Sequence, residues 1–91
     1  MKNKARINKM GYNFEDKAWE DYQNAPKNDK KKIDRLLKEI RRGNKVAHAE
    51  ALKHELAGYY SAHINDKDRL IYQLKGGTVM ILSCRGHYDD K

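Results

Sequence analysis

The clearest pattern in the chain is Ile33, Leu36, Leu37 and Ile40. These positions fall at i, i+3, i+4 and i+7, one face of an α-helix. Lys30, Lys31, Lys32, Arg35, Lys38, Arg41 and Arg42 take up much of the remaining surface. Asp29 suits the N-cap and Gly43 the C-terminal stop, so the spacing predicts a helix over residues 29–42. A shorter stripe, Ala18, Trp19 and Tyr22, predicts a helix over residues 15–25. Asn13 would cap it, Glu15 and Asp16 would sit in its first turn, where the helix dipole favours acids, and Pro26 would end it. The break between the two is short, which predicts an antiparallel helical hairpin.

The period then changes from helical to extended. Residues 59–64, 69–74 and 78–85 read as three strands, separated by Asn65-Asp66-Lys67-Asp68 and by Gly76-Gly77. A Gly-Gly pair between two apolar runs predicts a tight hairpin. The last run is the most apolar, so it should lie at the centre of the sheet. Upstream, Met10, Tyr12 and Phe14 alternate with polar residues and predict a short edge strand, with Ile7 out of phase. Residues 44–57 show neither period and read as an irregular connector anchored by Leu52 and Leu56. The order (β)ααβββ predicts an α+β fold: a helical hairpin packed on one face of a small antiparallel β-sheet, in a single domain over residues 1–91. The other face of the sheet would be open to a ligand.

Composition narrows the function. Charged residues make up 36% of the 91-residue chain and apolar residues 38%, enough for one modest core and a large polar surface. No apolar run is long enough to span a bilayer, and none follows the basic N-terminus as a secretory signal would require. The single Cys84 cannot form an internal disulfide and sits in a strand-like run, so a buried structural thiol in a reducing, cytoplasmic setting is expected. The net charge of +7 lies wholly in the first half: residues 1–45 hold 14 Lys/Arg against 7 Asp/Glu, and residues 46–91 hold 6 of each. Such a surface attracts phosphate backbones or acidic proteins without choosing between them.

Several chemistries find no support. His48, His54, His63 and His87 lack the spacing of metal ligands, and Cys84 has no Cys-x-x-Cys partner. No glycine-rich elbow surrounds Ser61 or Ser83, and no glycine loop is built to cradle a phosphate. What remains is Glu50, Lys53, Arg69, Arg85, His87 and Tyr88, whose types suit acid–base cleavage of an RNA phosphodiester. RNA carries its own nucleophile, the 2′-hydroxyl. A base to take its proton, a cation for the charged transition state and an acid for the leaving 5′-oxygen are sufficient, with no cofactor or metal required. Taken alone, Glu50 reads as an ordinary loop carboxylate, Arg69 as a solvent-facing residue at a strand start, His87 as an exposed residue near the terminus and Tyr88 as a cap on the core.

Three segments together resemble the YoeB/Txe toxins of the RelE superfamily. Glu50-Ala51-Leu52-Lys53-His54-Glu55-Leu56-Ala57-Gly58-Tyr59-Tyr60-Ser61 is similar to the family's P-E-x-L-K-x-x-L-x-G-x-x-S, less the proline. Asp68-Arg69-Leu70-Ile71-Tyr72 resembles H-R-L-V-Y, and Ser83-Cys84-Arg85-Gly86-His87-Tyr88 resembles A/S-C-R/K-Y-H-Y. With Trp19-Glu20-Asp21-Tyr22 and Leu36-Leu37-Lys38-Glu39-Ile40, which resemble the two family helices, the likeness runs from about residue 14 to 88.

The resemblance implies a ribosome-dependent endoribonuclease that cuts mRNA in the A site. It would be the toxin of a bacterial toxin–antitoxin pair, held by an acidic YefM-like antitoxin and able to form a homodimer. It also implies roles: Glu50 as general base, His87 as general acid, Arg69 on the transition-state phosphate, Lys53 assisting with charge and Tyr88 orienting the substrate. Arg85, Lys38, Arg41 and Arg42 are the candidate RNA-binding cations. Ala49 stands in place of the family's proline, Ala62 and His63 in place of two arginines, and Gly86 in place of a tyrosine. Asp89-Asp90-Lys91 extends past the usual end. These departures keep a second expectation open, a basic module that binds RNA, ribosome or antitoxin without cutting.

Overall fold

The computed structural model describes residues 5–7, as backbone, and 12–86. The chain runs β1 (Ala5–Ile7), β2 (Tyr12–Glu15), α1 (Asp16–Asn24), α2 (Lys27–Arg41), β3 (Glu50–Ala51), a 3-10 turn (His54–Leu56), β4 (Tyr60–His63), β5 (Arg69–Lys75) and β6 (Thr78–Ser83). The strands form one sheet in the order β1-β2-β6-β5-β4-β3, and both helices pack on one of its faces. No helix among the described residues is long and apolar enough to cross a membrane.

Helix α2 buries the predicted stripe. Ile33, Leu36, Leu37 and Ile40 join Phe14, Leu70, Val79 and Ile81 in the core, while Lys38, Arg41 and Arg42 stay exposed. Fully burying one such aliphatic side chain contributes roughly 1.5–3 kcal/mol. The helix starts two residues earlier than expected, with Pro26 as its N-terminal flank and Asp29 inside the first turn. Proline tolerates this end because the first backbone N–H groups of a helix have no intrahelical acceptor. Helix α1 is not capped by Asn13, which lies in β2; Glu15 is the flanking residue and makes no side-chain cap bond.

The sheet differs from expectation in three places. The N-terminal region supplies two strands rather than one, since β1 turns back to pair antiparallel with β2, and this is why Ile7 is out of phase with the strand that holds Phe14. The predicted Met10 lies outside the described residues. Strand β2 is not an edge: it pairs with β6, and this pair is parallel, whereas the other pairings are antiparallel. A parallel pair needs a long crossover, here the helices and three further strands. Lastly, the connector contains β3, which adds an edge strand beside β4. The apolar β6 is central, as its composition predicts, and Gly76 and Gly77, with φ of +57° and +82°, close the β5–β6 hairpin in the left-handed region that glycine adopts freely.

Candidate functional site

Strand register decides which residues share a face. Glu50 pairs with Ser61, Ser61 with Ile71, and Ile71 with Ser83, so these four form a row across β3, β4, β5 and β6. Directly opposed residues project to the same side of a sheet. The neighbouring residues Ala62, Leu70 and Ile81 belong to the core beneath the helices, so the Glu50 row lies on the face away from them. Two residues further along, His63 pairs with Arg69, also on the face away from the helices. Leu52 and Ile71 are buried but stand outside the main core cluster, as expected for a small apolar patch on this second face.

A β-bulge sets the far end. Tyr72 pairs with Ile81 but Ile71 with Ser83, so Leu82 is an extra residue in β6. The extra residue inverts the alternation beyond it. Ser83 takes the phase of Arg69, and Cys84 turns into the core, where its Sγ donates to the Ala18 carbonyl at 3.2 Å. Bulges commonly re-aim side chains next to functional sites.

The turn before β5 holds Arg69 and the chain end together. The Asn65 side-chain oxygen accepts from the backbone N–H groups of Lys67 and Asp68, each at 2.7 Å, a local closure typical of asparagine turns. Arg69 Nη1 donates to the carbonyls of Asn65 at 2.9 Å, Asp68 at 3.2 Å and Asp66 at 3.4 Å. These bonds use one of the guanidinium's nitrogens and fix the side chain over the turn. The Gly86 N–H donates to Asp68 Oδ1 at 2.9 Å, and the Arg69 N–H donates to the Gly86 carbonyl at 2.9 Å. The Gly86 and Asn65 bonds, in that order, hold the Asp68 carboxyl below its ordinary pKa, against a smaller opposing effect of burial. His87, next after Gly86, and Tyr88 lie outside the described residues.

The predicted residues therefore divide. Glu50 and Arg69 share one face, and Lys53 is exposed at the start of the 3-10 turn two residues past β3. Lys38, Arg41 and Arg42 are on the outer surface of α2, on the opposite side of the sheet from Glu50. Arg85 is exposed and lines a cleft of about 520 Å³ beside α1, with Asp16, Lys17 and Asp21. The Cys84 thiol is pushed up to about 12, mainly by burial, which leaves it protonated and unsuited to nucleophilic work. No three His, Cys, Asp or Glu side chains among the described residues converge as metal ligands would.

Sequence reasoning missed His63 and His48 as neighbours of this face. His63 faces Arg69 directly, and the His48 and His63 rings lie 6.0 Å apart. The symmetry of the hairpin around residues 64–68 carried that signal, because a turn closing at Ile64 and Asp68 brings residues 63 and 69 together.

Comparison with known proteins gives a consistent result. Residues 14–88 match the family described as YoeB-like toxin of bacterial type II toxin–antitoxin system. Toxin YoeB of Synechocystis sp. is 39% identical over 80 residues, covering 82% of this chain and 93% of that protein. The YoeB–YefM complex from Staphylococcus aureus superposes with a TM-score of 0.77 at 40% identity, covering 92% of this chain and 100% of that one. The YoeB dimer from the same organism superposes with a TM-score of 0.77 at 38% identity, covering 89% and 100%.

Proposed function

The chain belongs to the YoeB-like toxins of bacterial type II toxin–antitoxin systems, and on that footing we propose that it is a ribosome-dependent endoribonuclease cutting mRNA in the A site. Glu50 takes the proton from the RNA 2′-hydroxyl, which attacks the adjacent phosphorus. Arg69 and Lys53 stabilise the charge that builds on the phosphate oxygens. His87 protonates the leaving 5′-oxygen, and Tyr88 orients the nucleotide. The 2′-oxygen–phosphorus bond forms as the phosphorus–5′-oxygen bond breaks, so the step balances without a further reactant. A general base or acid in such a step typically contributes about 10²–10⁴-fold.

The observation that supports this reading best is the register that puts Glu50 and Arg69 on one face, with the Gly86 carbonyl bonded to the Arg69 N–H beside them. The partner is an acidic, cytoplasmic YefM-like antitoxin. Support for it comes from the Staphylococcus aureus complex and from a groove of about 490 Å³ lined by Lys45, Val46, Tyr60, Tyr72 and Leu74, whose apolar floor, with the one Lys45 ammonium beside it, suits an amphipathic acidic segment. Expression in bacteria should arrest growth, and primer extension should find cuts positioned by codon. His87→Ala and Glu50→Ala should each relieve the arrest; persistent toxicity of both variants would sink the assigned roles.

One observation favours a second reading, a binder that does not cut. The Arg69 Nη1 contacts to three turn carbonyls commit part of the guanidinium to structure. Under that reading Glu50→Ala leaves ribosome binding and its biological effect intact, and no codon-positioned cuts appear.

A further inference from the structure

The row next to Glu50 contains more than Arg69. His63 on β4 faces Arg69 on β5, and His48, in the turn just before β3, sets its ring beside that of His63. Their ring centroids are 6.0 Å apart with planes inclined at 48°, and both residues are exposed. Among the described residues neither imidazole has a hydrogen-bond or ion-pair partner. His48 also has a φ of +62°, a conformation that residues other than glycine seldom adopt and that recurs where local geometry serves a site. His48, His63 and Arg69 thus make a line from the turn before β3 across β4 and β5, one row from the Glu50 line.

We propose that this line is an RNA-backbone track, in which His63 contacts a phosphate flanking the scissile bond and His48 packs against His63 to set its ring. The inference rests on the nuclease reading above and adds the path of the substrate: across the strands, perpendicular to them, beside Glu50. Each member suits the task. An imidazole can donate a hydrogen bond to a phosphate oxygen or stack on a base, and arginine does both. The line lies on the face away from α2, so the helix cations are not part of it.

The test uses the full chain and ribosomes programmed with an mRNA whose cut-site nucleotide is 2′-deoxy, which can bind but cannot be cleaved. His63→Ala should weaken binding about tenfold, the scale of one lost charge-assisted contact. His63→Arg, which keeps a donor to the phosphate, should restore it. His48→Ala should weaken binding about threefold, less than His63→Ala because it acts through that ring. With the cleavable mRNA, His63→Ala should raise KM while kcat changes little. Unchanged melting temperatures, expected for exposed side chains, separate these effects from misfolding. If His63→Ala binds the deoxy-substituted complex like the wild type, the track is wrong even if cleavage proceeds. If the wild type fails to cleave the normal mRNA, the nuclease reading is wrong, and the binding comparison still decides whether His63 contacts RNA.

Discussion

Cys84 illustrates how much one side chain's surroundings constrain its chemistry. It is 4% exposed, donates to the Ala18 carbonyl, and has its thiol pushed up to about 12, chiefly by burial and further by the charges of Asp21 and Asp68. A thiol-specific chromogenic reagent at pH 8 should therefore leave the folded protein unmodified and titrate one thiol after denaturation. Rapid reaction of the native protein would contradict the buried placement. Gly86 is the opposite kind of residue, exposed to no steric neighbour but held at φ +91°. Space is open around it, so any cost of a side chain there comes from the backbone alone. Gly86→Ala should cost about 1 kcal/mol and lower Tm by about 4–8 °C for a domain of this size. The tyrosine that the YoeB-like motif has at this position would meet the same backbone penalty.

At the scale of elements, the turn of residues 65–68 joins Arg69, a proposed catalytic residue, to Gly86. Asp68 binds the Gly86 N–H and the Asn65 amide, and the same turn holds Arg69. The Asp68 carboxyl titrates below its ordinary value, first because of the Gly86 bond and then because of the Asn65 bond, aided by Arg85 and Lys67. A carboxylate with a lowered folded pKa stabilises the fold at pH above its unfolded value. That contribution disappears as pH falls through the folded value. Wild type should therefore be more stable than Asp68→Asn at pH 7, and the gap in Tm should close as pH drops below about 4. A gap that stays constant from pH 7 to pH 2.5 would rule out this linkage. In the helical layer, Leu37 is 2% exposed at the centre of the α2 stripe. Leu37→Ala should cost about 2–5 kcal/mol in denaturant unfolding, since a well-packed site refills only partly.

At the scale of the whole molecule, the sheet separates two surfaces, to which the proposed function gives different tasks. One carries Glu50, His63 and Arg69; the other is covered by α1 and α2, with Lys38, Arg41 and Arg42 facing outward. Under the proposed function, charges on the face opposite Glu50 and Arg69 would act through long-range attraction and not through the transition state. Replacing Lys38, Arg41 and Arg42 together by alanine should slow association with ribosomes and flatten its salt dependence, while single-turnover cleavage of bound mRNA stays near the wild-type rate. Stopped-flow binding at two salt concentrations and a quench-flow cleavage assay would separate these. A collapse of the bound-state cleavage rate would place those cations in the site itself.

The sequence alone determined the elements whose information is local. The i, i+3, i+4, i+7 spacing of Ile33, Leu36, Leu37 and Ile40 specified α2, Gly76-Gly77 specified the last hairpin, and the apolar run from Thr78 specified the central strand. The segment containing Glu50 and the pair Asp68-Arg69 were legible through their likeness to a family, because each motif is contiguous. Tertiary structure alone decided what depends on partners far apart in the chain: the parallel β2–β6 pair, the two-residue β3, and the extra residue at Leu82 that turns Cys84 inward. A bulge shifts side-chain phase by one, and no periodicity in β6 itself reveals which partner it skips. Placement of Glu50 and Arg69 on one face, and of the helix cations on the other, follows from those pairings, since a face belongs to the assembled sheet and not to any strand within it.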